Sequence, residues 1–293
     1  MKGQRVHIGI LFILILLIGC TSAQQTQVEG NQVSKLDLIA TFYPLYDITK
    51  KIAGEQADVQ SIVPSGVEPH DYEPTPSDIL KLSNAKAFVT IGLEFSGIEE
   101  KLIEGSKNKL LVIDSKKGIT LQGEDTHIWL SPKNMIIMSM NIMDGLNKID
   151  PKNSNLYEEN AKKLIEELKA LDSDYKTGLA NCKKHVVIAN HGAFAYLGKD
   201  YGFRQIGIFG LAPETEPTPQ DLVNIKNEAE KNNVAYIFSE ELVEQRIAQT
   251  IANEIKAKVL VLNPIEGTKS PSEDYFSLMR QNLANLKLAM ECN

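Results

Sequence analysis

Five histidines occur in the 293 residues, and their placement separates them. His7 falls in an apolar leader. His185 follows Lys183 and Lys184 at the start of a strand pattern and reads as surface. The other three, His70, His127 and His191, come from distant parts of the chain, and each stands at or after the end of a strand pattern. Open α/β sheets bind ligands outside the carboxyl ends of their strands, so all three are expected at or near one rim. A single loop histidine usually does no more than hydrogen-bond locally. Three on one side form a candidate metal site, because imidazole suits Zn²⁺ and its neighbours and a fourth oxygen donor completes a tetrahedron. No HExxH and no CxxC pair occurs. Such a site is therefore assembled by folding rather than by a local motif.

The elements that would carry these residues are legible as short runs rich in Val and Ile. They are LDLIATF (36–42), DVQSIV (58–63), KAFVTIG (86–92) and KLLVID (109–114). A second set is HVVIANH (185–191), RQIGIFG (204–210), VAYIFSE (234–240) and KVLVLN (258–263). Runs this apolar suit strands covered on both faces, as in parallel sheets between helices. The expected fold is α/β, with two Rossmann-like lobes of mainly parallel four-stranded sheets. Between them, residues 154–179 carry helical apolar spacing at Leu156, Ala161, Leu164, Ile165, Leu168 and Leu171, without proline. A helix of about 25 residues spans roughly 38 Å, which suits a stiff strut. The expected organisation is a lobe over 36–149, a linking helix over 150–184 and a lobe over 185–293.

An internal echo supports two lobes of one design. EPTPSDILKL begins at Glu73 and EPTPQDLVNI at Glu216. In each, a threonine precedes a proline and an aspartate follows three residues after the threonine, the signature of an N-cap, a first-turn proline and a capping box. The echo needs no chemistry. His70, just before the first copy, has Pro213 at the matching place in the second.

The ends set the compartment. Lys2 and Arg5 precede an apolar run from Ile8 to Ile18 that ends in Leu17-Ile18-Gly19-Cys20. This is the pattern of a secretory signal over 1–19 with a lipid-accepting Cys20, followed by a polar tether through residue 35. Removing the leader leaves 29 basic against 38 acidic side chains, a net charge of −9. That acidity argues against a nucleic-acid partner. With Cys20 lipidated, Cys182 and Cys292 remain as two cysteines in a setting that permits a disulfide, and only folding decides whether they meet.

Several segments together resemble a known family. PSGVEPHDYEPTPSDI (64–79), THIWLSP (126–132), NHGAFAYLGKDYG (190–202), IFSEE (237–241) and VLVLNPIEG (259–267) are similar to those of the periplasmic zinc/manganese-binding proteins that serve ABC importers. The resemblance implies two α/β lobes joined by a long helix, with metal held between them by His70, His127 and His191. It implies a monomeric, lipid-anchored, non-enzymatic receptor that passes Zn²⁺ to an ABC transporter permease, with Mn²⁺ the alternative cargo. Zinc-type members carry a histidine at the His191 position, where manganese-type members usually carry glutamate. The family's usual fourth ligand, an aspartate after the last strand, is matched here by Asn263, a neutral and weaker donor. Water or Glu240 are the other candidates for that place, with Glu240 read first as a partner that orients a histidine. The His-rich segment many zinc-type members carry before the second metal histidine is absent from 115–126. A zinc hydrolase, with an open fourth position and a nearby glutamate, is the rival from another class. An adhesin reading rests on family naming alone.

Overall fold

The structure is a computed structural model that describes residues 35–92, 97–106, 110–211, 217–241 and 245–293. The leader, the lipid-accepting Cys20 and the tether lie outside the described residues. Among those described, no helix is long and apolar enough to cross a membrane.

The first half runs β1 (Leu36–Ala40), α1 (Tyr43–Ala53), β2 (Ala57–Ser61), α2 (Pro76–Asn84), β3 (Ala87–Thr90), α3 (Ile98–Gly105), β4 (Leu111–Asp114) and α4 (Pro132–Ile149). Then α5 (Ser154–Gly178) leads into β5 (Val186–Ala189), α6 (Ala195–Tyr201), β6 (Arg204–Gly207), α7 (Pro219–Lys231), β7 (Tyr236–Ser239), α8 (Arg246–Glu254), β8 (Lys258–Val261) and α9 (Tyr275–Ala289). The sheets have the same plan, β2-β1-β3-β4 and β6-β5-β7-β8, and every pairing is parallel. All eight strand runs read from the sequence are strands here, with bounds that differ by one to three residues at one or both ends. The two-lobed parallel α/β fold expected from the sequence is the fold observed.

The echoed helix starts are as expected. Thr75 accepts from Asp78 N–H and Thr218 from Asp221 N–H, and both form full capping boxes with proline in the first turn. These motifs begin the equivalent helices α2 and α7, each following the second strand of its half. The shared chemistry is helix initiation alone. In α2 the aspartate also accepts from Tyr72 Oη at 2.6 Å, which draws the His70 segment down onto the helix end.

The long helix α5 covers 25 residues. Its apolar stripe buries Tyr157, Ala161, Leu164, Leu168, Leu171 and Tyr175 against α1, α4 and α9. Two of these tyrosines bury their hydroxyls only because each finds a partner: Tyr157 Oη donates to Asp150 Oδ2 at 2.6 Å and Tyr175 Oη to the Met279 carbonyl at 2.7 Å.

The C-terminal segment returns to the first half, which the sequence did not suggest. Trp129 Nε1 donates to the Pro264 carbonyl at 2.7 Å, Tyr275 Oη to the Trp129 carbonyl at 2.8 Å, and Tyr275 N–H to Asp47 Oδ2 at 3.2 Å. The main core consequently runs through both halves, from Leu38 and Phe42 through Trp129 and Leu168 to Tyr275 and Leu286. A smaller core of Ile188, Ile225, Ile237 and Ile251 lies within the second half. Cys182 and Cys292 form a disulfide across 110 residues, joining the chain just after α5 to the chain just after α9. His185 is exposed, as expected.

Candidate metal centre

Each of the three histidines stands beyond the carboxyl end of a strand, where the parallel sheets open. His70 sits in a single turn of 3₁₀ helix, Pro69–Asp71, between β2 and α2. His127 lies in the long connection from β4 to α4. His191 is two residues past β5. The chain holds each in place by a different device. Glu68 Oε1 accepts the His70 N–H at 3.3 Å. Asp125 Oδ1 takes both the His127 N–H at 2.9 Å and its Nδ1 at 2.8 Å. The Asp125 segment is itself fastened by Tyr196 of α6, whose hydroxyl donates to the Asp125 carbonyl at 2.7 Å and accepts from Gln122 N–H at 2.8 Å. Past β5, Gln205 clamps the His191 turn, donating to the His191 carbonyl and accepting from Phe194 N–H. Gly192 and Gly207 let this turn press on its neighbour. A Cβ at Gly207 would come within 3.1 Å of Gly192 N and 2.4 Å of the Phe209 carbonyl.

The imidazoles converge through their Nε2 atoms. His127 Nε2 lies 3.4 Å from His70 Nε2 and 3.1 Å from His191 Nε2. A fourth donor stands with them: Glu266 Oε1 is 3.3 Å from His70 Nε2, 3.2 Å from His127 Nε2 and 3.9 Å from His191 Nε2. A tetrahedron with metal bonds of about 2.0–2.1 Å has edges of about 3.3 Å; four of these spacings match such an N₃O shell, and the Glu266–His191 separation of 3.9 Å is wider. His127, His191 and Glu266 are buried, whereas the His70 side chain retains 9% exposure and is the one that reaches toward solvent. A groove of about 1120 Å³ between α1, β2 and residues 268–274 lies elsewhere, and none of these histidines lines it.

The oxygen expected at Asn263 has another task. Asn263 Oδ1 accepts the Ile265 N–H at 2.7 Å, closing an Asx turn, while its backbone N–H and carbonyl bond the buried Asn282 side chain at 2.8 and 2.7 Å. Ile265 takes a φ of +60°, an uncommon conformation for a β-branched residue that the turn and the Trp129–Pro264 bond hold in place. The effect is to aim the next residue, Glu266, at the histidines. Glu240 stands as expected, its Oε1 2.6 Å from His191 Nδ1. Asp125 plays the same part for His127 and was not singled out from the sequence. The available signal was a carboxylate two residues before a candidate ligand.

Charge is balanced between the groups rather than by solvent. Burial alone would push the His127 pKa down, but hydrogen bonds to Asp125 and Glu266 outweigh it and lift it to about 9. Burial would raise the Glu266 carboxyl, yet its contacts with His127 and His70 hold it well below the usual carboxylate range. Burial, then the charges of Glu266 and Glu240, push Glu68 up to about 9.

Carboxylate contacts at Nδ1 leave Nε2 to face the centre. Three imidazoles and one carboxylate, largely buried and built on two α/β sheets, form a candidate transition-metal centre. Residues 38–289 match the family described as zinc-uptake complex component A, periplasmic, and the chain belongs to that family. It is 36% identical to the high-affinity zinc uptake system protein ZnuA of Bacillus subtilis, covering 96% of this chain and 95% of that one. It is 34% identical to the zinc-binding protein AdcA of Streptococcus pyogenes over 92% of its own length, and spans 58% of AdcA. The crystal structure of the Zn(II)-bound ZnuA-like domain of Streptococcus pneumoniae AdcA superposes with a TM-score of 0.79 at 35% identity, covering 88% of this chain and 100% of that one. The family is one of solute-binding components, not enzymes.

Proposed function

We propose that this chain captures Zn²⁺ outside the cytoplasmic membrane and delivers it to the permease of an ABC importer, holding the ion with His70, His127, His191 and Glu266. The observation that carries this reading is the set of donor spacings, 3.1–3.4 Å along four edges, which suit zinc bonds of about 2.0–2.1 Å. Three neutral imidazoles also favour zinc over manganese, which prefers oxygen-rich shells. The leader over 1–19, lipid on Cys20 and a tether through residue 35 would hold a monomeric receptor at the outer face of the membrane. In this reading the lobes over 36–149 and 185–293 flank the ion, joined by the 150–184 segment. The test is metal content and chelator competition on protein from residue 21 onward. One tightly held zinc per chain, with manganese far weaker, is the expected result. Manganese bound as tightly as zinc would overturn the choice of cargo.

Asp125 and Glu240 should matter although neither touches the ion. Asp125→Ala and Glu240→Ala should each lower zinc affinity about 10- to 100-fold, read by the same competition, with one zinc still bound at saturation.

The pH dependence has opposite signs for binding and for stability. Zinc must displace the proton on His127, whose pKa is lifted to about 9. Affinity should therefore climb as pH rises from 6.5 to 9 and level off above. In the metal-free protein, His127 and Glu68 both have folded-state pKa values raised above their unfolded ones. Their protons favour the fold at lower pH, and that contribution is lost as pH rises toward 9. Glu266, with a depressed pKa, stays ionised throughout this window. Denaturant titrations of metal-free protein between pH 6.5 and 9 should show stability falling while zinc affinity rises.

A further inference from the structure

Three buried carboxylates back the histidine cage, and each commits one oxygen to it. Glu68 Oε1 accepts from the His70 backbone, Glu240 Oε1 from His191 Nδ1, and Glu266 Oε1 faces the Nε2 atoms of His70 and His127. The other oxygen of each, Glu68 Oε2, Glu240 Oε2 and Glu266 Oε2, is buried with no hydrogen-bond partner among the described residues. The residues are 7%, 2% and 1% exposed. One carboxylate oxygen from each of the three lies within 4.8 Å of one from each of the others.

Burying a carboxylate oxygen without a partner is unfavourable, and gathering three is more so because like charges add. Zinc in the cage answers only part of this. The ion there is held by the Nε2 atoms and Glu266 Oε1, which leaves Glu68 Oε2, Glu240 Oε2 and Glu266 Oε2 still without a partner among the described residues. The three free oxygens are hard donors, with no nitrogen or sulfur among them, which suits the class that includes Mn²⁺, Mg²⁺ and Ca²⁺.

We propose a second divalent-cation site, formed by Glu68, Glu240 and Glu266, that takes a hard, oxygen-preferring ion beside the bound zinc, with Glu266 bridging the two. The proposal rests on zinc occupying the histidine cage. The bridging carboxylate sets the two ions about 3.5–4 Å apart, as in other two-metal sites, and water completes the second ion's shell. Zinc keeps the imidazoles because nitrogen donors bind it more tightly than they bind manganese. The chain thereby acquires a response to manganese that leaves its zinc in place.

Manganese is the probe, because its electron paramagnetic resonance signal reports free and bound ion separately. Zinc-loaded wild type, Glu68→Gln and Glu240→Gln are titrated with Mn²⁺, and zinc content is measured in each sample before and after. Wild type should bind about one Mn²⁺ per chain while keeping its zinc, and each glutamine variant should weaken Mn²⁺ binding about tenfold or more. Absence of Mn²⁺ binding to zinc-loaded wild type overturns the second site, as does loss of one zinc per Mn²⁺ taken up. Binding undiminished in both variants overturns it too. A chain that holds no zinc before manganese is added shows instead that the zinc reading is wrong, and the second site falls with it.

Discussion

Replacing His127 with alanine should weaken zinc binding by more than about a hundredfold, beyond the range expected for a residue that only supports a ligand. His127 is the centre of the cage. Its Nε2 is the atom that approaches both other imidazoles and Glu266 within 3.4 Å. Its loss removes one donor, opens a void beside Trp129 and leaves Asp125 Oδ1 without the Nδ1 partner it now has. That last effect should also cost about 1–3 kcal/mol of stability in the metal-free protein. His185→Ala is the matched control, since His185 is exposed at the opposite end of β5. Competition with a zinc chelator separates the two variants, and equal affinities would remove His127 from the site.

Breaking the disulfide should produce the largest stability change. Cys182 and Cys292 close a loop of 110 residues, and removing such a link from a native fold costs about 2–5 kcal/mol. The bond sits where Lys184 N–H also bonds the Met290 carbonyl, ahead of β5, at the end of the strand away from His191. A Cys182→Ala/Cys292→Ala variant should lose stability by that amount in denaturant titrations while zinc affinity changes less than about threefold, because distant, unshared sites act independently. A large loss of affinity would mean that the lobes are set by the disulfide rather than by α5 and the returning C-terminal segment.

What could be read from the sequence followed from how local the signal was. The eight strands, the helix at 154–178 and both capping boxes depend on residues within one turn or one strand of each other, and all were legible. So was the convergence of His70, His127 and His191, because carboxyl ends of parallel strands share a rim. The return of the C-terminal segment was not, since its contacts join Trp129 to Pro264 and Asp47 to Tyr275, pairs far apart in sequence and ordinary in type. The carboxylate that stands with the three histidines, Glu266, lies three residues beyond the expected Asn263. NPIEG offers two polar side chains, and their directions depend on a positive φ at Ile265 that only the folded surroundings impose. Once Asn263 spends its oxygen on the turn, Glu266 is the carboxylate that remains. Asp125 was passed over because a residue acting through Nδ1 carries no motif of its own.

The central claim is that one zinc sits among three histidine Nε2 atoms and a Glu266 oxygen. Anomalous diffraction at the zinc edge, from crystals of the zinc-loaded protein, tests it most directly. The account predicts a strong peak about 2.0–2.2 Å from His70, His127 and His191 Nε2 and from one oxygen of Glu266, with Asn263 still closing its turn. A peak bonded to Asn263 Oδ1 in place of Glu266, or one that leaves out any of the three histidines, would contradict it.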